Sequence, residues 1–266
     1  SKEREVSMKS GQAVAEALLR KGYEVIPIDA AENVGDRLND VRPDLAFIAL
    51  HGKYGEDGTI QGLLEIMGIP YTGSGVAGSA ICMDKVISKK LFVYEGIPTA
   101  PFIVVNRDSF SSSRQEVLSE IRNKLGLPTV IKPADQGSSI GTTIVNEDSV
   151  LEGALEEALA MSDEALAEKF IDGVEITAAV LGNEEPLVLP LIEIETAKGV
   201  YDYEAKYTLG GSSHIIPARI SLEATRRVEE YSRQIYRSFK CLGFSRIDFI
   251  IDSSEKPYVL EVNNIP

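Results

Sequence analysis

Two alternating segments near the end of the sequence, 246–251 and 258–263, constrain the fold more than any other feature. A short polar stretch, 252–257, separates them, so the sequence predicts a β-hairpin. Because side chains alternate between the two faces of a strand, one face of this hairpin would be apolar and would join a core. The residues on that face are Ile247, Phe249, Leu260 and Val262. The other face, called the chemical face below, carries the polar side chains that could form a functional site.

The chemical face of the hairpin would carry two carboxylates. If Ile251 pairs with Tyr258, Asp248 falls directly opposite Glu261. Carboxylates that face each other across two strands repel, so a sequence selected only for stability would avoid this arrangement. A divalent cation between them would remove the repulsion. The hairpin therefore predicts a metal site.

Arg246 and Asn263 would lie opposite each other on the same face, by the same register. Oxygen ligands from Asp248, Glu261 and the Asn263 carbonyl suit Mg²⁺, which completes its shell with water and substrate phosphates. The alternative is a solvated sheet surface on which Arg246 balances the two acids.

The charge balance excludes several classes of function. The 266 residues include 41 Asp and Glu against 27 Lys and Arg, a net charge of -14, which opposes binding to nucleic acids or anionic membranes. The two cysteines, Cys82 and Cys241, form no metal-binding pattern, and no segment has the roughly 18 to 20 apolar residues of a membrane span. We therefore expect a cytoplasmic protein with no nucleic-acid or membrane partner.

The first 50 residues predict one αβ unit and a second strand. Apolar residues recur at helical spacing in 13–18, and 23–28 alternates as a strand does. The apolar run 45–50 predicts a buried parallel strand that ends at His51, on the ligand side of the sheet. On position alone, His51 fits a structural role as well as a substrate role. Because such a sheet normally opens with a strand, we expect its first strand to be missing. The last predicted strand, 258–262, lies only four residues from the end of the sequence, so we also expect the C-terminal end of the last domain to be missing.

The rest of the sequence predicts further helices and strands. A domain boundary is expected at the Gly-Ser-Gly stretch 73–75. Helices are predicted at 79–94, 149–161 and 222–242, and strands at 129–132, 142–145, 168–171, 175–181 and 258–262.

A loop of small residues, 134–141, lies between two of these strands and fits a phosphate-binding loop. Its backbone N–H groups and the hydroxyls of Ser138 and Ser139 would hold phosphate oxygens, and Lys132 would add positive charge. The pattern differs from a P-loop, because the lysine precedes the glycines and a strand follows. A plain glycine-rich hairpin turn is an equal alternative.

Two other segments suit a nucleotide site, and each has an ordinary alternative. Segment 168–171 could offer backbone groups to a purine and Glu175 could bind ribose hydroxyls, although the same residues make an ordinary amphipathic strand. Segment 201–207 concentrates aromatic and charged residues before the glycine- and serine-rich 210–213. That composition is found in mobile lids, but more often in exposed loops.

Taken in chain order, nine motifs closely resemble those of the D-alanine:D-alanine ligase family of the ATP-grasp superfamily. The resemblance spans nearly the whole chain, and the joint order and spacing are more specific than any single motif. The motifs are His-Gly at 51–52, Gly-Glu-Asp-Gly at 55–58, Tyr-Thr-Gly-Ser-Gly at 71–75, Met-Asp-Lys at 83–85, Ile-Lys-Pro at 131–133, Gly-Ser-Ser at 137–139, Glu-Ala-Lys-Tyr at 204–207, Arg-Ile-Asp at 246–248 and Glu-Val-Asn at 261–263.

The resemblance implies an α/β fold of the ATP-grasp type with three domains. An N-terminal doubly wound parallel-sheet domain, 1–74, would precede a central ATP-grasp domain, 75–166, and a C-terminal ATP-grasp domain, 167–266. The implied reaction uses ATP to join two D-alanines through a D-alanyl phosphate, for peptidoglycan synthesis. The implied partners are D-alanine, ATP, two Mg²⁺ or Mn²⁺ ions and a second copy of the chain in a homodimer.

The resemblance also implies a role for each matching residue. Glu3 would bind the ammonium of the first D-alanine, His51 would lie at the substrate, and Arg246 would stabilise the oxyanion. Glu3, Ser138 and Tyr207 would hydrogen-bond together and close a loop over the site. The ATP contacts would be Lys85, Lys132, Ser138, Ser139, Glu168, Lys169, Ile171, Glu175 and Lys206, and the metal ligands would be Asp248, Glu261 and Asn263.

Two alternatives to the dipeptide ligase stay open. One is another ATP-grasp ligase that joins a carboxylate to an amine, and the other is a nucleotide-binding fragment without ligase activity. Tyr207 in its Glu-Ala-Lys-Tyr motif favours an amine as the second nucleophile, because related ligases that make D-alanyl-D-lactate lack this motif.

Overall fold

The computed structural model describes residues 3–30, 33–137, 140–196 and 211–266. Three hydrophobic cores organise these residues. One lies in the N-terminal region, one against a four-stranded sheet, and the largest against a six-stranded sheet. Both sheets are antiparallel, and helices pack against each of them.

Three helices form the N-terminal region: α1 (Arg4–Arg20), α2 (Val34–Val41) and α3 (Thr59–Met67). They surround a small core that includes Ile48. Ile265, near the end of the chain, is buried in the same core. The last residues of the chain therefore pack against the N-terminal region.

The two strands predicted in this region, 23–28 and 45–50, are extended but are not strands. One parallel bridge joins Ala46 to Tyr71, and the Ala46 N–H donates to the Pro70 carbonyl at 2.8 Å. A strand needs a hydrogen-bonded neighbour along its length, and within the described residues 23–28 has none. The strand prediction is wrong for these two segments.

Two helices follow where one was predicted at 79–94. Helix α4 (Val76–Met83) ends at Asp84, whose carboxylate accepts a hydrogen bond from the Ile87 N–H at 2.9 Å and caps α5 (Lys85–Tyr94). The carboxylate at this position favours a new helix start over a continuous helix. The break places Lys85 in the first turn of α5.

The four-stranded antiparallel sheet has the order β1-β4-β2-β3, and helices cover one side of it. Strands β2 and β3 agree with the predicted 129–132 and 142–145, whereas β4 begins four residues before the predicted 168–171 and β1 was not predicted. The elements of this region are β1 (Phe102–Asn106), α6 (Arg107–Ser112), α7 (Arg114–Lys124), β2 (Thr129–Pro133), β3 (Thr143–Val145), α8 (Asp148–Met161) and β4 (Glu164–Lys169).

The six-stranded sheet has the order β10-β9-β5-β7-β8, with a short strand, β6, also paired to β5. Helix α9 (Leu222–Ser238) packs on it through Val228 and Ile235. This helix ends before the predicted residue 242, because Lys240 has a φ of 55°. The strands are β5 (Gly173–Gly182), β6 (Leu187–Val188), β7 (Ile192–Thr196), β8 (Ser212–Ile215), β9 (Gly243–Asp252) and β10 (Pro257–Asn263).

Candidate active site

The chemical face of the β9–β10 hairpin has the predicted pairs. Asp248 lies opposite Glu261, and Arg246 lies opposite Asn263. Asp248 is buried, with 5% of its surface exposed, while Glu261 and Asn263 are half-buried. The hairpin thus brings two carboxylates and one carboxamide to a single site at the edge of the largest core.

The turn end of the hairpin differs from the prediction. Ile251 pairs with Pro257, not with Tyr258, and a β-bulge between Val259 and Glu261 then shifts the register by one residue. The extra residue of the bulge restores the predicted pairing at the site. Without it, Asp248 would face Leu260.

The bulge also changes which side chains reach the core. Val259 is fully buried in the largest core, beside Val262, whereas Leu260 is only half-buried and lies outside that core. Leu260 had been predicted on the core face by simple alternation. A bulge interrupts alternation, so a period-two pattern assigns the wrong residue.

A third segment contacts β10 beside the bulge. The Val259 N–H donates to the Pro98 carbonyl at 2.9 Å, and the Thr99 hydroxyl donates to the Val259 carbonyl at 2.9 Å. Thr99 and Val259 form an isolated parallel bridge. Both backbone groups of Val259 are therefore held from the side opposite β9.

Asp248 is the most heavily hydrogen-bonded group of the site. Its carboxylate accepts from the Thr177 hydroxyl at 2.7 Å and from the Asn263 side-chain amide at 3.1 Å. The Arg246 guanidinium donates to both of its oxygens at 3.0 to 3.1 Å. These three partners fix the orientation of the carboxylate and offset the cost of burying its charge.

Six of the predicted site residues line one cavity of about 100 Å³, between the N-terminal region, α5 and the hairpin. Its lining includes both acidic and basic side chains. The six are Glu3, His51, Lys85, Arg246, Glu261 and Asn263. Residues from widely separated parts of the sequence thus meet at one place.

Glu3 lies just before α1, and only 6% of its surface is exposed. Its carboxylate lies against the backbones of two glycines, Gly52 and Gly137, so closely that a Cβ on either would collide with it. Gly52 also has a φ of 74°, which a residue with a side chain rarely adopts. Glycine at 52 is therefore required both for its conformation and for the place of Glu3.

His51 is held next to Glu3 by residues of α1. Its Nε2 lies 3.0 Å from the Ser10 hydroxyl, and its backbone N–H donates to the Ser7 hydroxyl at 2.9 Å. Burial lowers the pKa of the imidazole, although Glu3 and a backbone hydrogen bond with Ile265 act in the opposite direction. The ring is therefore neutral at pH 7.

Glu56 is a cavity residue to which the sequence assigned no role. Its carboxyl accepts a hydrogen bond from the Gly52 N–H at 2.5 Å, and burial raises its pKa to about 7. The Gly-Glu-Asp-Gly motif contained this residue, but nothing in the motif predicted that the carboxyl is buried. A carboxyl that titrates near neutral pH at a cavity is a candidate for proton handling.

Lys85 contacts the loop predicted to bind phosphate. Its Nζ donates to the Gln136 carbonyl at 2.5 Å, and its backbone N–H donates to the Ala134 carbonyl at 3.0 Å. The loop therefore lies over the start of α5 and beside Glu3. Ser138 and Ser139 of the same loop, and Lys206 and Tyr207 further on, lie outside the described residues.

Lys132 and Glu168, both predicted ATP contacts, are joined in a buried ion cluster. Lys132 Nζ lies 2.9 Å from Glu168 Oε2, and Lys89 Nζ lies 2.9 Å from Glu168 Oε1. Burial would raise the pKa of Glu168, but the charges of Lys132 and Lys89 lower it. Burial also lowers the pKa of Lys89 to about 8, against the attraction of Glu168.

Lys89 is the second residue that the sequence analysis missed. It is almost fully buried, and its Nζ donates to the Thr99 hydroxyl at 2.6 Å as well as contacting Glu168. The sequence contains one indication of its role: Lys89 lies four residues after Lys85, about one turn further along the same face of the helix. A polar chain therefore runs from Lys132 through Glu168, Lys89 and Thr99 to the bulge of β10.

The remaining predicted ATP contacts lie along the two sheets. Lys169 is exposed at the end of β4, and Ile171 follows it. Glu175 faces the same side of β5 as Thr177, the residue that hydrogen-bonds Asp248, whereas Ile176 points into the core. These residues do not line the cavity that holds Glu3 and Arg246.

Two family models match the chain. The model of the D-ala D-ala ligase C-terminus matches residues 91–266, and that of the D-ala D-ala ligase N-terminus matches residues 31–74. The chain belongs to the D-ala D-ala ligase family. The predicted family is confirmed.

Named members of the family are close in sequence. The D-alanine–D-alanine ligase of Pelotomaculum thermopropionicum is 51% identical over 267 residues, covering 100% of this chain and 84% of its own. That of Carboxydothermus hydrogenoformans is also 51% identical, covering 100% of this chain and 85% of its own.

Solved structures of the family share the fold. A crystal structure of the D-alanine–D-alanine ligase from Bacillus anthracis has a TM-score of 0.85 at 38% identity, covering 100% of this chain and 84% of its own. A second structure of that ligase, complexed with ATP, has a TM-score of 0.81 at 34% identity, covering 100% of this chain and 83% of its own. The predicted ATP-grasp fold class is confirmed.

Proposed function

We propose that this protein uses ATP to join two D-alanines into D-alanyl-D-alanine, for peptidoglycan synthesis. The cavity carries the proposal, because Glu3 supplies a carboxylate for an ammonium group while Lys85 and Arg246 supply positive charge for a carboxylate or phosphate. An amino acid presents both kinds of group. Membership of the D-ala D-ala ligase family supports the same substrate.

The proposed reaction has two steps. The carboxylate oxygen of the first D-alanine attacks the γ-phosphorus of ATP, giving D-alanyl phosphate and ADP. The amine of the second D-alanine then attacks the acyl carbon, the oxygen becomes an oxyanion, and inorganic phosphate leaves as the peptide bond forms. Positive charge from Lys85 stabilises the transferring phosphoryl group, and Arg246 stabilises the oxyanion.

Glu3 and His51 orient the first D-alanine in this proposal. The Glu3 carboxylate is almost fully buried against the backbones of Gly52 and Gly137, which limits its movement before an ammonium group binds. His51 is a neutral donor or acceptor at the same cavity. Closure of the loop over these residues would exclude water from the acyl phosphate, which water would otherwise hydrolyse.

Asp248, Glu261 and Asn263 are the proposed ligands of two Mg²⁺ ions, which Mn²⁺ could replace. The donor set fits, because two facing carboxylates and one carboxamide are hard oxygen ligands. Among the described residues no group of three or more His, Cys, Asp or Glu could hold a metal ion by itself. Such an incomplete set suits Mg²⁺ that shares its shell with phosphates. When bound, the ions would neutralise charge on the transferring phosphoryl group.

The nucleotide is proposed to lie between the two sheets. Segment 168–171, including Lys169 and Ile171, would contact the adenine, Glu175 the ribose, and Lys132 the phosphates. The glutamate of the first segment, Glu168, would act mainly by holding Lys132, because two lysines occupy its carboxylate. Ser138, Ser139, Lys206 and Tyr207 complete the proposed set, and Glu3, Ser138 and Tyr207 would close the loop.

The proposed organisation has three domains, 1–74, 75–166 and 167–266, in a homodimer in the cytoplasm. The cores agree with this division only in outline, because Cys82, Phe92 and Ile97 lie in the largest core and Ile265 lies in the N-terminal one. In the part of the chain that the structure describes, no helix is long and apolar enough to cross a membrane. Both cysteines are free thiols, which suits a reducing compartment. Light scattering on a sizing column tests the dimer.

ATP turnover with different acceptors tests the proposed reaction. ADP release should require D-alanine and should be far slower with L-alanine or D-lactate, and mass spectrometry should detect D-alanyl-D-alanine. Turnover that prefers another carboxylate would indicate a different ATP-grasp ligase. Binding of Mg-ATP without any turnover would indicate a nucleotide-binding protein.

A further inference from the structure

Two cysteine side chains meet behind the wall of the cavity. Cys82, in the last turn of α4, and Cys241, between α9 and β9, have their Sγ atoms 3.8 Å apart although 159 residues separate them in sequence. Their exposed surfaces are 6% and 3%. Two thiols at this distance need only a small closing movement to reach the 2.05 Å of a disulfide bond.

The cavity brings a small oxidant next to one of these two cysteines. Cys82 lines the cavity, next to Met83, whereas Cys241 does not and lies in the largest core. A molecule as small as hydrogen peroxide fits a space of about 100 Å³. Cys82 is therefore the thiol that an oxidant in the cavity would meet first.

The surroundings of Cys241 suit it to react second. The neighbouring Cys82 thiol and then the nearby Ser74 hydroxyl lower the pKa of Cys241, although burial acts in the opposite direction. The hydrogen bond between the two sulfurs, together with burial, raises the pKa of Cys82. The thiolate that attacks an oxidised partner would therefore form at Cys241.

We propose that Cys82 and Cys241 form an oxidation site, at which hydrogen peroxide entering through the ligand cavity converts the two thiols into a disulfide. The Cys82 sulfur attacks one peroxide oxygen, the O–O bond breaks, and the thiol proton passes to the leaving oxygen, so that Cys82 becomes a sulfenic acid and one water is released. The Cys241 thiolate then attacks the sulfenic sulfur, the S–O bond breaks as the S–S bond forms, and the proton that Cys241 released joins the leaving hydroxide as a second water. The peroxide is reduced by two electrons, and both thiols are oxidised by one each.

The disulfide would alter the cavity because both cysteines belong to elements that build it. Ser79 of α4 accepts a hydrogen bond from the Asn264 side chain at 2.8 Å, and Asn264 follows the hairpin directly. The segment after Cys241 leads into β9, which carries Arg246. Drawing the two sulfurs together moves these walls, and a displacement of about 1 Å at an active site can lower turnover roughly 100-fold.

Peptide mapping of peroxide-treated protein tests the proposal. Under non-reducing conditions, the peptides that contain Cys82 and Cys241 should appear joined, two hydrogen masses lighter than their sum. Dithiothreitol should separate them. Free thiols at both positions after treatment would overturn the proposal, as would linkage only between different protein molecules.

Activity provides a second readout. Peroxide should lower turnover of the native protein about 100-fold, and dithiothreitol should restore it, whereas loss caused by methionine oxidation would persist. Cys241→Ser should keep its activity before treatment and should show no loss that dithiothreitol reverses. Linked peptides with undiminished turnover would overturn the effect on the cavity. A reversible loss in Cys241→Ser would show that Cys82 alone is responsible.

Discussion

The Thr99 hydroxyl donates to the Val259 carbonyl at 2.9 Å, directly beside the bulge that sets Glu261 opposite Asp248. Lys89 Nζ in turn donates to the Thr99 hydroxyl at 2.6 Å. One hydroxyl group thus links the buried ion cluster around Glu168 to the strand that carries a proposed metal ligand.

Thr99→Val removes this hydroxyl and keeps the shape of the side chain. It leaves the Val259 carbonyl and one Lys89 proton without their partner, so the free energy of unfolding should fall by about 1 to 3 kcal/mol. If the hydroxyl also positions Glu261, the Mg²⁺ concentration for half-maximal turnover should rise. Urea unfolding and Mg²⁺ titration of ATP turnover measure the two effects.

Thr99→Ser is the matched control, because it keeps the hydroxyl and loses only a methyl group. Its Mg²⁺ dependence should equal that of the native protein. A rise in the Mg²⁺ requirement in both variants, or in neither, would contradict a positioning role for the hydroxyl.

Glu56 should make stability depend on pH. In the folded protein this carboxyl holds its proton up to about pH 7, whereas in the unfolded chain it loses the proton near its ordinary pKa of 4.5. Between these values the folded state binds more protons, so the free energy of unfolding falls as pH rises, by about 3 kcal/mol in total.

Glu56→Gln should remove that contribution. The amide oxygen can still accept from the Gly52 N–H, but it carries no charge at any of these pH values. Urea unfolding at pH 5 and pH 8 should therefore show a smaller decline in the variant than in the native protein. If the free energy of unfolding falls equally with pH in both proteins, groups other than Glu56 cause the pH dependence.

Glu261→Gln should abolish metal-dependent turnover while leaving the fold intact. The amide is a weaker ligand for Mg²⁺ than a carboxylate, and losing even a group that only supports a metal ligand costs about 10- to 100-fold. Turnover should therefore fall by about 100-fold or more, with a circular dichroism spectrum like that of the native protein. Near-normal activity would refute the metal assignment.

Gly52→Ala should impair the site by displacing Glu3. The new methyl group would collide with the Glu3 carboxylate, and the backbone would be strained at a φ of 74°. The KM for D-alanine should rise about 10-fold or more, because the group proposed to bind its ammonium moves.

Gly22→Ala separates these two causes. Gly22 also has a positive φ, of 86°, but no atom lies within 4 Å of its added Cβ. It should lose about 1 kcal/mol of stability from backbone strain alone and should keep its KM. A similar rise in KM in both variants would mean that strain, and not Glu3, is responsible.

Much of the hairpin could be predicted from the sequence because alternation in two short strands is a local property. The pairs Asp248–Glu261 and Arg246–Asn263 followed from it. The bulge could not be predicted, since it lies where Pro98 and Thr99, about 160 residues earlier, contact β10. The expected pairing of Ile251 with Tyr258 was wrong for that reason.

The surroundings of the buried charged groups could not be predicted from the sequence either. Nothing in the sequence indicates that Glu56 is buried enough to titrate near neutral pH, or that Glu168 lies between two lysines, because both depend on packing between distant segments. Motif matching placed Glu3, His51 and Lys85 near each other without any geometry, and the cavity brings them together. Their roles stay predictions until the variants are measured.

Ile265 lies in the core of the N-terminal region only two residues after the hairpin ends. Swinging that region away from the hairpin would pull an apolar side chain into water, so the two are expected to move as one body. The four-stranded sheet meets α5 through a much smaller apolar cluster that includes Val86 and Leu166. If the nucleotide binds between the two sheets as proposed, we therefore expect it to enter by a movement of the four-stranded sheet away from the other two regions.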